Sequence, residues 1–342
     1  MRKVPVAQAI GLELGHDITE IRPEEGLKRR ALRRGHRITT ADVELLRDLG
    51  KTTVFIRGDD PDEVHEDDAA LAVAPRAAGP GVSHDSEPCE GKIVFRAGIA
   101  GVLRVAAARL LAIHRLAVPA LPTLPAHYPV RPGQTVATFR IIPLTCTRDL
   151  LDAVLAQLHE PLLWVDPYRV REAAIVVTGT EIASGRIKDA FIPSLTARLA
   201  AFDVAVSAAE ILPDDRTRIA ARITALAETC GLVLVTGGTS VDPDDVTVAA
   251  MADAGVDCAV RGVPLQPGNN FTIGYRGDTA VCAVPAAALV HRATALDLFL
   301  PRLLAGDRID REHVAALGLG GLAQPGADDH FPDTTFGWGG AT

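Results

Sequence analysis

Apolar residues recur along this chain with two different periods, and the change from one to the other divides it. Over the first half the runs are short and alternate with polar positions: ITEI at 18–21, TVFI at 53–56, KIVFRA at 92–97, GVLRVA at 101–106 and QTVATFRIIPL at 134–144. Alternation of this kind suits half-buried strands. Two helical patterns interrupt it. In TTADVELLRDLG, Thr40 is placed to start a helix and Gly50 to stop it, and EDDAALAVAPRAAG follows at 66–79. GPGVSHDSEPCEG at 79–91 and PVRPGQ at 129–134 are turn-forming segments.

From about residue 171 the strands become unbroken apolar runs separated by helical periods. AAIVV at 173–177 precedes a helix with Phe191, Leu195 and Leu199 on one face. VAVSAAEIL at 204–212 precedes another with Ile219, Ile223 and Leu226. LVLV, CAVRGV, and the pair TIGY and TAVCAV turned by Gly277 and Asp278 complete the strands, and AAALVHRATALDLFLPRLLAG closes with a helix. Runs buried on both faces and linked by helices imply right-handed crossovers. The fold class expected is α/β: a C-terminal three-layer αβα domain with a mostly parallel sheet, preceded by a small α/β unit and a β-rich module. The boundaries fall at 1–76 for the small unit, 77–168 for the β-rich module and 169–306 for the α/β domain. Residues 307–342, rich in glycine, proline and aspartate, read as an extended or disordered tail in which DDHFPD is only a weak metal-ligand pattern.

Composition narrows the functions open to such a chain. Its 342 residues exceed a usual single core, and with 48% apolar but 4% aromatic residues the interior must be built from Ala, Val, Leu and Ile. A formal charge of −8 excludes broad nucleic-acid binding, so Lys28, Arg29, Arg30, Arg33 and Arg34 read as a solvated face. Cys89, Cys146, Cys230, Cys258 and Cys282 show no CxxC pair and no zinc spacing, and read as reduced intracellular thiols. The opening MRKVPVAQAIGLELGHD lacks an apolar stretch for a signal peptide, and the alanine-rich segment near residue 105 is broken by Arg109, His114 and Arg115. A cytoplasmic, soluble protein without a membrane partner is expected.

Ligands of open α/β sheets bind at the carboxyl ends of the strands, which directs attention to three loops. In VLVTGGTSVDPDDVT at 233–247, Gly237 and Gly238 let a ligand approach the main chain, Thr239 and Ser240 suit a phosphate, and Asp244 or Asp245 is placed to cap the next helix. A plain βα turn with a capping aspartate is the simpler alternative. VTGTEIASGRIKD at 177–189 offers Thr178, Glu181, Ser184, Gly185 and Asp189, and the second loop offers Pro213 and Asp214. Arg186, Lys188 and Arg261 add positive charge nearby. There is no Walker-A lysine loop and no GxGxxG, which leaves kinases and Rossmann dehydrogenases unsupported.

Together the three loops resemble the molybdopterin-binding domain shared by the molybdenum-cofactor adenylyltransferase and molybdotransferase families, over about residues 171–305. The opening VPVAQAIGLELGHDITEI is similar to the start of the molybdotransferases, and the whole chain resembles a stand-alone bacterial and archaeal molybdopterin-binding family. The resemblance implies a pterin and phosphate pocket at Gly237, Gly238, Thr239 and Ser240. It implies functional acids at Asp214 and Asp245, and a pocket shaped by Pro267, Gly268 and Pro285. Ala286 stands where a glycine is usual, and the tail lacks the cysteines of close relatives.

Such a ligand implies Mg²⁺ held by Asp244 and Asp245, with Asp214 as a further carboxylate, and molybdate and ATP or AMP as co-substrates. The related families assemble, so a homo-oligomer is expected, with molybdoenzyme maturation proteins as further partners. Three functions stand open: a molybdotransferase- or adenylyltransferase-like enzyme, a carrier or sensor of the pterin, and a nucleotide hydrolase on the same fold.

Overall fold

The computed structural model describes residues 1–58, 60–237, 246–291, 293–318 and 321–322. They form two compact units, one made of residues 1–99 and 103–165, the other of residues 100–102 and the chain from 166 onward.

In the first unit, Arg2–Pro5 pairs antiparallel with Thr53–Ile56, and Ile18–Arg22 forms a hairpin with Leu27–Leu32. Between them lies the helix Thr40–Asp48. Its cap is Thr39, one residue earlier than the sequence pattern places it, because Asp42 sits at the third helical position and completes a capping box with Thr39. Gly50, at φ 72°, donates to the Arg47 carbonyl at 2.8 Å and ends the helix as expected. Val4, Leu14, Ile18, Leu46 and Ile56 bury together as one small core.

A second core of this unit lies under the helix Glu66–Ala77, whose Ala69, Ala70, Val73, Ala74 and Ala77 are fully buried. Beneath it an antiparallel sheet is ordered Val82–His84, Ile93–Ala97, Thr135–Ile141, Pro119–Ala120. Two helices, Ala107–His114 and Arg148–Ala156, occupy the stretch expected to be β-rich. The second follows from the buried spacing of Leu151, Val154 and Leu158.

The second unit holds a six-stranded sheet. Its strands are β1 (Glu172–Thr178), β2 (Ala205–Leu212), β3 (Leu232–Thr236), β4 (Asp257–Arg261), β5 (Thr272–Arg276) and β6 (Thr279–Val284), in spatial order β2-β1-β3-β6-β5-β4. β2, β1, β3 and β6 run parallel, while β5 is antiparallel to both β6 and β4. The helices are α1 (Thr180–Ala183), α2 (Phe191–Ala200), α3 (Arg216–Ala227), α4 (Thr247–Asp253), α5 (Ala287–Val290) and α6 (Ala295–Ala305).

Strand alternation builds the three layers. Ala173, Ile175 and Val177 of β1 bury with Phe191, Leu195 and Leu199 of α2 and with Leu296, Phe299 and Leu300 of α6. Ala174 and Val176 bury on the opposite face with Ile219, Ile223 and Leu226 of α3 and with Ala250 and Met251 of α4. This is the α/β class the periodicity implies. The segment from 307 is not extended throughout, since Asp310 caps a short helix, Arg311–Ala315, through a bond from His313 N–H. The DDHFPD stretch lies outside the described residues. Among the described residues no helix is long and apolar enough to cross a membrane. Cys146, Cys230 and Cys282 are buried, Cys258 is half-buried and Cys89 is exposed.

Candidate functional site

The chain enters the sheet at β1, places β2 on one side of it and β3 on the other, and so creates a topological switch point between the carboxyl ends of β1 and β3. β4 and β6 point the same way. The loops that follow β1, β2, β3, β4 and β6 therefore leave one edge, and Thr178, Glu181, Ser184, Gly185, Asp214, Gly237, Pro267, Gly268 and Pro285 lie at strand ends or loops there.

The two strand ends are fastened together. Thr178 is buried, and its hydroxyl lies 3.3 Å from that of Thr247, which donates to the Gly237 carbonyl at 2.7 Å. Gly237 has φ 93°, and a Cβ there would collide with the Thr178 backbone, so a glycine is required on two counts. Thr236 ends β3 with a buried hydroxyl that has no hydrogen-bond partner among the described residues.

The acids of the loops divide by what they already hold. Asp189 accepts the Phe191 N–H at 2.9 Å and the Ile192 N–H at 3.1 Å, so both its oxygens serve the start of α2. Asp215 caps α3 through the Arg218 N–H. That leaves Asp214 to reach the first loop, where its carboxylate accepts the Thr180 N–H at 2.8 Å and the Thr180 hydroxyl at 3.1 Å. Glu181 is exposed, Ser184 donates to the Glu181 carbonyl, and Gly185, at φ 74°, follows the short α1. Thr180 of α1, Phe191 and Ile192 of α2 and Arg218 of α3 thus each donate a first-turn N–H to one of the protein's own carboxylates.

The helix α4 differs. Val246 precedes its first residue and makes no side-chain cap bond, while the capping expected of Asp244 or Asp245 falls on residues outside those described. Gly238, Thr239, Ser240, Asp244 and Asp245 themselves lie outside the described residues. Pro267 follows a cis peptide bond and Gly268 has φ 106°; the pair abuts the start of α6, where Ala295 N–H donates to the Pro267 carbonyl. The Pro285 carbonyl accepts from Ala288. Ala286 sits at φ −58° and ψ −18°, an ordinary right-handed conformation, so its replacement of a glycine costs no backbone strain. Among the described residues no cluster of three or more metal-ligating side chains occurs.

Elsewhere the basic hairpin is neutralised. Lys28 pairs with Glu90 at 2.9 Å, Arg29 with Glu20 at 2.7 Å, Arg30 with Asp17 at 2.8 Å, and Arg34 with Asp68 through two bonds. Hydrogen bonds from Arg22 and then Arg29 hold the Glu20 carboxyl below the usual carboxylate range. The basic run, expected as a solvated face, is thus tied largely to acids of the same unit.

These features define an α/β domain with a topological switch point on the carboxyl edge of a mostly parallel sheet. Residues 174–305 match the family described as Probable molybdopterin binding domain. Residues 3–57 match a second family, described as a domain of unknown function. Over 94 residues the chain is 37% identical to a protein of Methanocaldococcus jannaschii named for molybdopterin biosynthesis, covering 27% of this chain and 23% of that protein. Over 82 residues it is 37% identical to a CinA-like protein of Desulfosudis oleivorans, covering 24% of this chain and 20% of that one. The chain thus spans about a fifth to a quarter of the length of these relatives. The structure of the molybdopterin biosynthesis enzyme MoaB from Thermus thermophilus is 23% identical with a TM-score of 0.34, covering 40% of this chain and 97% of that one.

Proposed function

We propose that the second unit binds molybdopterin at the carboxyl edge of its sheet, and that the protein serves molybdenum cofactor biosynthesis as a molybdotransferase- or adenylyltransferase-like enzyme. One observation carries this reading: the switch point between β1 and β3 lies inside the segment that matches the molybdopterin-binding family. Thr178, Gly237 and Thr247 fix the spacing of the two strand ends, and Asp214 fixes the first loop. The groups left for the pterin and its phosphate are Glu181, Ser184, the Thr236 hydroxyl, and Gly238, Thr239 and Ser240 of the third loop. Asp244 and Asp245, acids in an oxygen-rich loop, would hold Mg²⁺, which neutralises phosphate charge when bound.

Mass spectrometry of the pterin that copurifies with the full chain tests binding, and a preparation without any pterin that also fails to take one up counts against the reading. Incubation with molybdopterin, Mg·ATP and molybdate then separates turnover from stoichiometric binding. Asp245→Asn is the matching variant: asparagine caps a helix about as well as aspartate, so the change should leave thermal stability nearly unmoved and abolish Mg²⁺-dependent binding. Unchanged Mg²⁺ dependence would remove Asp245 from the site. Light scattering at micromolar concentration tests the homo-oligomer.

A further inference from the structure

The exposed apolar side chains of the second unit are not scattered. Among its described residues the large hydrophobics left open to solvent are Ile187, Ile211, Leu289, Val290 and Leu322, with Val290 at 79%. Ile187 lies in the loop after β1, Ile211 is the penultimate residue of β2, and Leu289 and Val290 end α5, which follows β6. All four stand on the carboxyl edge of the sheet. Single exposed apolar residues need no explanation, but a gathering of them at one edge marks a surface that something covers. The same edge carries Arg186, Lys188 and Arg261, which are exposed and make no ion pair among the described residues.

The chain itself leads to this surface. After the short helix Arg311–Ala315 it returns to the loop 262–271, which joins β4 to β5 on the same edge; there the Gln266 N–H donates to the Gly321 carbonyl at 2.9 Å, and Gln266 forms a parallel bridge with Leu322. The approach is close, for a Cβ on Gly321 would collide with the carbonyls of Pro264 and Leu317. A parallel bridge also sets direction. Beyond Leu322 the chain is aimed the way Gln266 runs, toward Pro267 and Gly268, and Gly268 packs on Thr294 and Ala295 a few residues past Leu289 and Val290. Residues 323–342 are not among those described, but their sequence carries Asp328, Asp329 and Asp333 with no Lys or Arg, and places Phe331, Phe336 and Trp338 in one short run. Aromatics make up only 4% of the whole chain, and a linker kept in water is poor in them, so this run has apolar surface to bury.

We propose that the segment 328–338, DDHFPDTTFGW, docks on the carboxyl edge of its own sheet, its aromatic rings on the exposed apolar side chains and its aspartates against the three cations. Reach permits it. The nine residues from Ala323 to Phe331 span about 30 Å when extended, more than the roughly 24 Å across a six-stranded sheet. Charge complementarity selects an acidic segment for this edge. Tethering at Gln266 holds the segment at an effective concentration of about millimolar, which a second copy in dilute solution does not match. The inference stands on the surface of the edge and does not rest on molybdopterin binding there.

Trp338 reads the docking directly. The full chain with Trp164→Phe keeps Trp338 as its sole tryptophan, and acrylamide should quench that emission several-fold less in the native chain than in urea, at micromolar and at nanomolar concentration alike. Two sets of exposed substitutions should each return the quenching toward the level in urea: Arg186→Glu with Lys188→Glu and Arg261→Glu, and Leu289→Ser with Val290→Ser. High salt should weaken the protection in the parent chain by screening the charges. The proposal is overturned if Trp338 is as accessible in the native chain as in urea, if its protection falls on dilution, which assigns the surface to a second copy, or if both sets of variants keep the parent's protection. Should Trp164→Phe fail to fold, ¹⁹F spectra of the otherwise unmutated chain carrying 5-fluorotryptophan, assigned with Trp338→Phe, decide the question through the solvent exposure of the same ring.

Discussion

Asp214 and Thr180 hold each other across two loops, the carboxylate accepting both the N–H and the hydroxyl of Thr180 while the Asp214 N–H lies 3.3 Å from the same hydroxyl. The acid that the family resemblance makes functional is therefore also a structural tie. Asparagine at 214 keeps an acceptor for the Thr180 N–H, so Asp214→Asn should change stability by only a few tenths of a kcal/mol, and Asp214→Ala should cost about 1 kcal/mol. Urea unfolding measures both. If the charge acts on the ligand as well, pterin titration of Asp214→Asn should show lost affinity at unchanged stability; an unaltered titration assigns Asp214 to the tie alone.

Gly237→Ala should be far more damaging than an ordinary loop substitution. It imposes a side chain at φ 93° and drives a Cβ into the Thr178 backbone. Left-handed strain and overpacking together predict a loss of about 2–4 kcal/mol. A denaturation midpoint equal to wild type would show that the ends of β1 and β3 are not held as described.

Asp189 has both oxygens on the first turn of α2. Asp189→Ala should lower stability by about 1 kcal/mol, and Asp189→Asn by much less. Because those oxygens are already engaged, pterin affinity per folded molecule should be the same in both variants, as calorimetry can check. A selective loss of affinity in Asp189→Asn would instead make it a ligand residue.

Burial pushes the Glu66 carboxyl up to about 7, against the opposing pull of Arg140. A carboxyl whose folded pKa lies above its unfolded value of 4.5 favours the folded state fully below the unfolded value. That contribution is lost as pH rises from about 4.5 to about 7, and above this range the buried carboxylate opposes folding. Glu66→Gln should therefore raise Tm at about pH 8 relative to wild type and make little difference or lower it near pH 4.5. A Tm difference independent of pH would contradict a buried, raised carboxyl.

Periodicity alone made the second unit legible. Phe191, Leu195 and Leu199 share a face because they pack under β1, and Ile219, Ile223 and Leu226 do so on the other side of the same sheet. The helix Arg148–Ala156 was harder to read, since its apolar positions are few and follow a strand pattern without a strong breaker. At the candidate site, residue type points to the carboxyl edge of the sheet, where β1 and β3 diverge to their neighbours. It did not tell which of two adjacent acids caps and which reaches across: Asp215 takes the cap of α3 and Asp214 the distant Thr180. The buried Glu66 carboxyl gives no sequence signal at all, because its surroundings depend on Gly91 and Arg140 arriving from distant turns and strands.

The distribution of cysteines gives the molecule a ready-made optical handle. Burial raises the pKa of Cys146 and Cys282, and burial with Asp257 nearby raises that of Cys258, so all three are poor nucleophiles near neutral pH. Cys230 is buried as well, whereas Cys89 is exposed in the 89–92 turn that carries Glu90 and Gly91 to the wall of a small cavity. A maleimide dye should therefore attach first, and near-stoichiometrically, at Cys89 of the unmutated chain. It would report from beside the cavity that Glu90 and Gly91 wall, without any engineered residue, and slower labelling elsewhere would clock the opening of each buried core.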